Sequence, residues 1–203
     1  MDVIDKRILA ILYTCSITKE EPISTCVKKM HLSDEFLHDR IRILEKNGLV
    51  EKNALTGFGR SALRIVLAGG VFDIIHPGHI HTLNAAKVLG DVLVVVVATD
   101  NTAVKMKKRK PLHSESMRQE LISSLAMVDL CLIGNETDIF KTVEIVKPDI
   151  IALGYDQVHQ EKFITDGCRR IDLDVKVARL QSPVPEFSSS KIEKEYGEAI
   201  HGL

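Results

Sequence analysis

Two histidines and three glycines lie close together in the segment from Gly69 to His79. His76 and His79 are three residues apart, so both imidazole rings can point at one anion if the second histidine begins a helix. An imidazole at such a place can donate a hydrogen bond to a phosphoryl oxygen and stabilise charge that grows there in a transition state. Glycines at a strand end let the backbone approach a ligand, and a helix N-terminus favours a phosphate. The segment therefore predicts phosphate chemistry. The alternative is that one histidine only packs and Asp73 caps a turn.

The elements that would position this loop alternate between strand and helix after residue 60. Strands are predicted at Leu63–Ala68, Asp91–Thr99, Leu130–Ile133, Asp149–Leu153 and Val175–Leu180. Helices are predicted at His79–Leu89, Glu115–Ala126, Ile139–Lys147, Gln160–Arg170 and Ser188–Ile200. Strands that are apolar on both faces belong in a parallel sheet. Residues 61–203 are therefore predicted to form an α/β domain with a doubly wound, Rossmann-like parallel sheet, whose ligands bind beyond the carboxyl ends of the strands.

Residues 1–60 have a different pattern, with apolar residues at helical spacing. One stripe contains Ile4, Ile8, Ile11 and Leu12, and another contains Phe36, Leu37, Ile41 and Leu44. Ser33 is expected to cap the second of these helices, and Asn47-Gly48 to end it. A shorter helix is expected between them. A strand at residues 49–51, a turn at residues 57–59 and a return strand complete a predicted winged helix-turn-helix domain.

Composition limits the class of protein. The 203 residues are 45% hydrophobic with a net charge of −1, as in a folded globular protein rather than a disordered one. The longest aliphatic run, residues 92–98, is far short of the roughly 20 residues of a membrane helix. No signal peptide is visible, and the four cysteines lack metal or disulfide spacing. We therefore expect a cytoplasmic protein without a membrane partner.

The string GGVFDIIHPGH at residues 69–79 resembles the GxFDxxHxGH signature of the cytidylyltransferase-like nucleotidyltransferases. The resemblance extends over roughly Leu63 to Tyr196. It implies that His76 and His79 bind the triphosphate and stabilise the pentacoordinate α-phosphate without a covalent enzyme intermediate. It also implies nucleotide-binding roles for Gly69, Gly70, Val71, Phe72, Asp73 and Gly78. Asp73 would face the reacting phosphates, the acceptor or their magnesium.

A basic run at residues 105–110 follows the second predicted strand of this domain. Alone, such a run is typical of a solvated loop. At this place it resembles the mobile basic loop of the family, in which lysines clamp the acceptor phosphate and the triphosphate. The resemblance implies acceptor binding by Lys105 and a catalytic role for Lys107. Arg118 resembles a family arginine near the substrates, and its alternative is a surface charge on a helix.

Two later segments resemble nucleotide-binding parts of the family. The block KPDIIALGYDQ is a strand that runs into a loop, and the resemblance implies nucleoside contacts from Gly154 and Asp156. Ser188, Ser189 and Ser190 resemble the second signature, whose hydroxyl and N–H groups bind the β- and γ-phosphates. A serine cap without any ligand is the alternative.

The substrate expectation depends on one departure from the family. Glycerol-phosphate enzymes carry an Arg-Thr-Glu-Gly run where this chain has Pro183-Val184-Pro185-Glu186. The basic run, the KPDIIALGYDQ block and the missing arginine together resemble archaeal FAD synthases, which transfer AMP from ATP to FMN and release pyrophosphate. The resemblance implies a homodimer and Mg²⁺ brought by the triphosphate, with no dedicated protein site. The alternative enzyme uses CTP to make a CDP-alcohol from glycerol 3-phosphate or another polyol phosphate.

A third hypothesis comes from a different class, a nucleotide-sensing transcriptional regulator. Residues 1–62 hold ten Lys/Arg and nine Asp/Glu, and the first turn of the candidate recognition helix carries Asp34 and Glu35. Because phosphate neutralisation supplies most non-specific DNA affinity, DNA binding is not favoured. A packing or dimerisation role is preferred for this domain.

Overall fold

A computed structural model describes residues 1–154, 157, 159–181, 192, 195 and 196. The chain divides into two compact units, Met1–Arg64 and Ile65–Leu203, close to the predicted boundary after residue 60. Among the described residues no helix is both long and apolar enough to cross a membrane. All four cysteines are free and buried.

The first unit contains four helices and a two-stranded antiparallel sheet. Its elements are α1 (Val3–Thr18), α2 (Pro22–Met30), α3 (Asp34–Lys46), β1 (Val50–Glu51), β2 (Ala54–Leu55) and α4 (Gly57–Ser61). As predicted, the Ser33 hydroxyl caps α3 by accepting from Phe36 N–H, and Gly48 follows its end at φ +72°. Phe36 is exposed, so the predicted apolar stripe of α3 is shorter than expected. The winged helix-turn-helix assignment stays a prediction.

The predicted turn of the hairpin was wrong. The chain reverses at Lys52 and Asn53, which both have positive φ, and residues 57–61 form α4 instead. Asparagine tolerates the left-handed region, which makes this pair suitable for a tight hairpin turn. The hydroxyl of Thr56 accepts from Gly59 N–H and begins the helix. A Cβ at Gly59 would lie 1.9 Å from the Leu49 carbonyl oxygen, so this glycine serves close packing.

The second unit is a five-stranded, entirely parallel sheet with helices between its strands. Its strands are β3 (Ile65–Gly70), β4 (Val92–Val97), β5 (Leu130–Ile133), β6 (Ile150–Leu153) and β7 (Lys176–Arg179). Its helices are α5 (Pro77–Val88), α6 (Asp100–Lys107), α7 (Glu115–Ser123), α8 (Ile139–Val146) and α9 (Gln160–Arg170). The α/β prediction of a parallel sheet is confirmed.

The strand order is β5-β4-β3-β6-β7. From β3 the chain adds β4 and β5 on one side, and it then adds β6 and β7 on the other side, so the strand order reverses between β3 and β6. In open parallel sheets, ligands bind beyond the carboxyl ends of the strands at such a reversal. One sheet face is covered by the main apolar cluster, which includes Val66, Leu83, Leu93, Val95 and Ile122. The fold thus places the β3–α5 loop at the expected binding edge.

Two helical elements differ from the sequence predictions. Helix α6 was not predicted, because its basic residues favoured a loop; Thr99 caps it by accepting from Thr102 N–H. Helix α5 begins at Pro77 rather than His79, since proline has the φ of a first helical residue and needs no N–H partner there. The predicted helix at Ser188–Ile200 falls largely outside the described residues.

Candidate active site

The β3–α5 loop turns sharply at Phe72, which has φ +52°. A positive φ is uncommon for an aromatic residue and is retained where the surrounding structure requires it. The ring of Phe72 lies edge-on to His79, with 5.1 Å between centroids. A Cβ at Gly70 would lie 2.9 Å from the Phe72 ring, so a larger residue at this strand end would have to displace that ring. The turn thus sets the position of the second histidine.

His76 and His79 lie side by side at the start of α5. Their rings stack with 3.9 Å between centroids and 29° between planes. His76 precedes the first helical residue, and its carbonyl accepts from His79 N–H at 2.9 Å. Both Nδ1 atoms are buried and have no hydrogen-bond partner within the described part of the chain. Because buried polar atoms are normally paired, this pair has the bonding capacity that an oxyanion would complete.

Burial keeps both histidines neutral at pH 7. It lowers the pKa of His79 to about 4, with further lowering from His76 and from the charge of Lys107. Burial and the same lysine lower the pKa of His76. A triphosphate would oppose both effects, since negative charge beside an imidazole favours its protonated form. The site is therefore set to gain positive character when an anion arrives.

Asp73 is buried beneath the basic segment. Its Oδ1 accepts from the backbone N–H groups of Leu112 (2.7 Å) and His113 (3.2 Å). Its Oδ2 accepts from the Arg109 guanidinium at 2.8 Å. Both oxygens are thus occupied by donors from this chain. This differs from the prediction that Asp73 faces phosphates or magnesium: its carboxylate holds the segment after α6 against the histidine loop.

The predicted basic loop is partly helical. Lys105 and Lys107 belong to the last turn of α6, and Lys108 ends that helix at φ +57°. Both predicted lysines are exposed, so their ammonium groups can meet a ligand. The effect of Lys107 on both histidine pKa values places its charge near the ring pair. The structure therefore brings Lys107, His76 and His79 into one electrostatic environment.

Arg118 is fully buried, which shows that the alternative of a surface helix charge was wrong. Its predicted contact with the nucleotide stays a prediction. Its guanidinium donates to the carbonyls of Val71 (2.7 Å), Ala98 (2.8 Å) and His113 (3.0 Å) and to the Asp100 carboxylate (2.7 Å). Arg118 therefore joins the β3–α5 loop, the end of β4, the start of α6 and the segment before α7. It is a positioning residue.

The predicted nucleoside loop begins at Gly154, directly after β6. Gly154 N–H donates to the side-chain oxygen of Gln157 at 2.7 Å, and Gln157 N–H donates back to the Gly154 carbonyl at 3.1 Å. Asp156, Ser188, Ser189 and Ser190 lie outside the described residues, and their predicted roles stay predictions.

A cavity of about 340 Å³ adjoins the same strand end. Its walls come from the sheet, the start of α6, helices α8 and α9 and the loop after β5, and they include Gly69 and Gly70. Most wall side chains are aliphatic or aromatic, among them Leu67, Val96, Ile139, Val143, Leu153 and Phe163. Its volume and apolar walls are typical of a site for a small organic ligand.

The sequence model of the family described as "Cytidylyltransferase-like" matches residues 67–195 of this chain. The match covers more than half of the sequence and includes the histidine loop. This chain belongs to the cytidylyltransferase-like family.

Relatives within this family carry a common name. The chain is 49% identical over 125 residues to the FAD synthase of Picrophilus torridus, covering 62% of this chain and 89% of that protein. It is 51% identical over 116 residues to the FAD synthase of Aciduliprofundum boonei, covering 57% of this chain and 77% of that protein.

A solved structure is also similar. The crystal structure of a lipopolysaccharide core biosynthesis protein from Thermoplasma volcanium has 47% sequence identity and a TM-score of 0.56. The match covers 59% of this chain and 98% of that one. A five-stranded sheet with the histidine loop at its edge is therefore consistent with family membership on both sequence and structure.

Several contributors to this cytidylyltransferase-like site were missed from the sequence. The sequence does not distinguish Arg109 from the other residues of the basic run, although it pairs with Asp73 of the motif. Leu112 and His113 contribute backbone N–H groups, which no side-chain pattern reveals. The cavity residues of α8 and α9 were interpreted only as helix. The sequence offered one signal for these contributors, which is that the acidic Asp73 of the motif could pair with an arginine of the basic run such as Arg109.

Proposed function

We propose that this protein is an FMN adenylyltransferase, which transfers AMP from ATP to FMN and releases pyrophosphate. The observation that carries the proposal is that the histidine pair and the apolar cavity adjoin the same strand end, Gly69-Gly70. A phosphate-handling loop beside an apolar cavity suits an acceptor with a large aromatic ring better than a small polyol phosphate. The FAD synthase relatives support the same reaction.

The reaction is an in-line displacement at the α-phosphorus of ATP. An oxygen of the FMN phosphate forms the new P–O bond, the bond to the β-phosphate oxygen breaks, and pyrophosphate leaves with that electron pair. A phosphate monoester has its second pKa near 6, so the nucleophile is already ionised at neutral pH and needs no general base. Positioning and charge stabilisation supply the rate.

The chain's own residues would act on the phosphates. His76 and His79 donate to the α-phosphate oxygens, and Lys107 stabilises the charge that spreads over the triphosphate. Lys105 binds the acceptor phosphate. Gly69, Gly70, Val71, Phe72 and Gly78 let the backbone approach the nucleotide. Gly154, Asp156 and the hydroxyls of Ser188, Ser189 and Ser190 bind the nucleoside and the outer phosphates.

The proposed Mg²⁺ has no protein cage among the described residues, which contain no group of three or more His, Cys, Asp or Glu side chains suited to a metal. Both oxygens of Asp73 are used by Arg109, Leu112 and His113. A dedicated site at Asp73 therefore does not fit. Mg²⁺ would arrive on the triphosphate.

For the Met1–Arg64 unit we propose packing or dimerisation rather than DNA binding. Arg40 on α3 pairs with Asp2 (3.1 Å) and Asp5 (2.7 Å), and Arg42 pairs with Asp39 (3.2 Å). These pairs neutralise the arginine charges that a recognition helix would need to bind DNA phosphates. The expected homodimer is tested by light scattering, which measures the molar mass of the purified protein in solution.

The deciding experiment compares pyrophosphate release, with Mg²⁺, from ATP plus FMN and from CTP plus glycerol 3-phosphate, and measures FAD by chromatography. His76→Ala and His79→Ala should each lower the rate by about 10²–10³. His81→Ala is the matched control, because His81 lies on the exposed side of the same helix. Turnover with CTP alone would indicate CDP-alcohol synthesis. No turnover with either pair would favour the regulator.

A further inference from the structure

Thr142 differs from the other buried or partly buried threonines within helices of this chain. Four of them donate their hydroxyl to a carbonyl three or four residues earlier, at 2.7–2.9 Å: Thr14, Thr25, Thr82 and Thr165. Thr142 lies in α8 and is only 6% exposed, and its hydroxyl makes no hydrogen bond to any residue that the structure describes. Its side chain lines the cavity instead.

A hydroxyl that faces a cavity without a protein partner is satisfied only by solvent or by a ligand. Because the hydroxyl does not form the usual bond to its own helix, it remains able to donate and accept inside the cavity. A ligand with a polar edge at that place would satisfy it. Thr142 thus points to a ligand, independently of the cavity's volume.

The other polar wall residues are partly engaged within the protein, while the side-chain N–H groups of Asn135, Gln157 and Gln160 bond to none of the described residues. The Asn135 side-chain oxygen accepts from Thr137 and Asp138 N–H groups. Gln157 accepts from Gly154 N–H, and the Thr99 and Thr102 hydroxyls bond to each other at 3.0 Å. The remaining walls are mostly apolar. The ligand must therefore be apolar over most of its surface, with a limited polar edge.

We propose that this cavity receives the isoalloxazine ring of the acceptor and that the Thr142 hydroxyl hydrogen-bonds its polar edge, which makes Thr142 a specificity-determining residue. The proposal rests on the proposed function. Isoalloxazine combines a dimethylated benzene ring with a ring bearing two carbonyls and an N–H, which matches mostly apolar walls with a limited set of free polar groups.

The test is Thr142→Val, which keeps the side-chain shape and removes the hydroxyl. Riboflavin has the ring but no phosphate, so its fluorescence change on binding reports the cavity separately from the phosphate site. We expect the riboflavin Kd and the KM for FMN to rise about tenfold, as loss of one buried hydrogen bond predicts. The kcat and the KM for ATP should change less than about twofold.

Thr165→Val is the matched control, since its hydroxyl bonds to the Glu161 carbonyl on α9. It should leave flavin binding unchanged. An unchanged riboflavin Kd in Thr142→Val, or a raised KM for ATP in place of FMN, would overturn the assignment of the ring site. FAD formation by a protein that does not bind riboflavin would also overturn it and leave the proposed function standing. Riboflavin binding that weakens in Thr142→Val, without FAD formation, would support the ring site and overturn the proposed function.

Discussion

The Asp73 carboxylate and the Arg109 guanidinium form an ion pair at 2.8 Å, with the aspartate side chain 1% exposed. Asp73 lies in the loop that carries the histidines, and Arg109 follows the helix that carries Lys107. The pair therefore links the two groups of side chains that are proposed to act on the phosphates. A displacement of the basic segment would change the distance between Lys107 and the ring pair.

Replacement of Asp73 by asparagine should lower the free energy of unfolding by about 3 kcal/mol, because the guanidinium would lose its buried counter-charge. Urea unfolding at pH 7 measures this loss. The Mg²⁺ concentration needed for half-maximal rate should stay unchanged. Asp166→Asn is the control, since its pair with Arg169 is exposed and long at 3.9 Å. A higher Mg²⁺ requirement without loss of stability would instead identify Asp73 as a metal ligand.

Stability should fall as the pH is lowered from 6.5 toward 4. The pKa of His79 is about 4 in the folded protein against an ordinary 6.5, so the unfolded chain binds more protons in this window. The contribution of this histidine is therefore complete above pH 6.5 and is lost on acidification, by on the order of 3 kcal/mol. Urea midpoints at pH 7 and pH 4.5 test it. His79→Gln should reduce the difference between them, and an equal difference in the variant would contradict this account.

Binding of the triphosphate should be accompanied by proton uptake near pH 6. Its charge would raise the depressed pKa values of His76 and His79. Calorimetric titration with a non-hydrolysable ATP analogue, in buffers of different ionisation enthalpy, measures the number of protons bound. The uptake should fall in His79→Gln. An equal proton uptake in His79→Gln would mean that no anion approaches this histidine, and comparison of the two proteins removes the contribution of the phosphate's own titration.

Lys107→Met should lower kcat by about 10², since a charge that stabilises the transition state is removed. It should also raise the pKa values of His76 and His79, which NMR titration of the imidazole signals can follow. Lys108→Met is the control, because Lys108 is exposed and lies just beyond the helix. Equal loss of kcat in both variants would show that only the total charge of the basic run matters.

Arg118→Lys should destabilise the protein by about 3 kcal/mol, although the charge is kept. A lysine cannot reproduce the planar fork that serves three carbonyls and the Asp100 carboxylate. Arg169→Lys, at an exposed position on α9, should change the free energy of unfolding by less than about 0.5 kcal/mol. A raised KM for ATP with unchanged stability would instead indicate that Arg118 contacts the nucleotide.

Much of the second unit followed from local pattern. Runs such as residues 92–97 are apolar on both faces, and this alone required a buried parallel strand. The histidine loop could be located from the sequence because its glycines, proline and histidines lie within eleven consecutive residues. In the first unit, Ser33 begins α3 and Gly48 follows its last turn, as predicted. Such caps depend on backbone groups only a few residues away.

Helix α6 could not be predicted because two local signals compete there. The Thr99 cap and Asp100 favour a helix, while the basic run at residues 105–110 favours a solvated loop. The cap prevailed, and Ala103 became fully buried on the inner side of the helix. Burial of that kind depends on the neighbouring sheet and is not a property of the segment alone.

The sequence by itself determined the alternation of strands and helices in the second unit apart from α6, the loop proposed to handle phosphate and the family to which the protein belongs. Only the tertiary structure decided what Asp73, Arg118 and Thr142 contact. The partners of Asp73 lie 36–40 residues away in the chain, and Arg118 reaches a carbonyl 47 residues away. Such pairs arise when packing brings distant segments together, and a one-dimensional pattern contains only the neighbours of each residue.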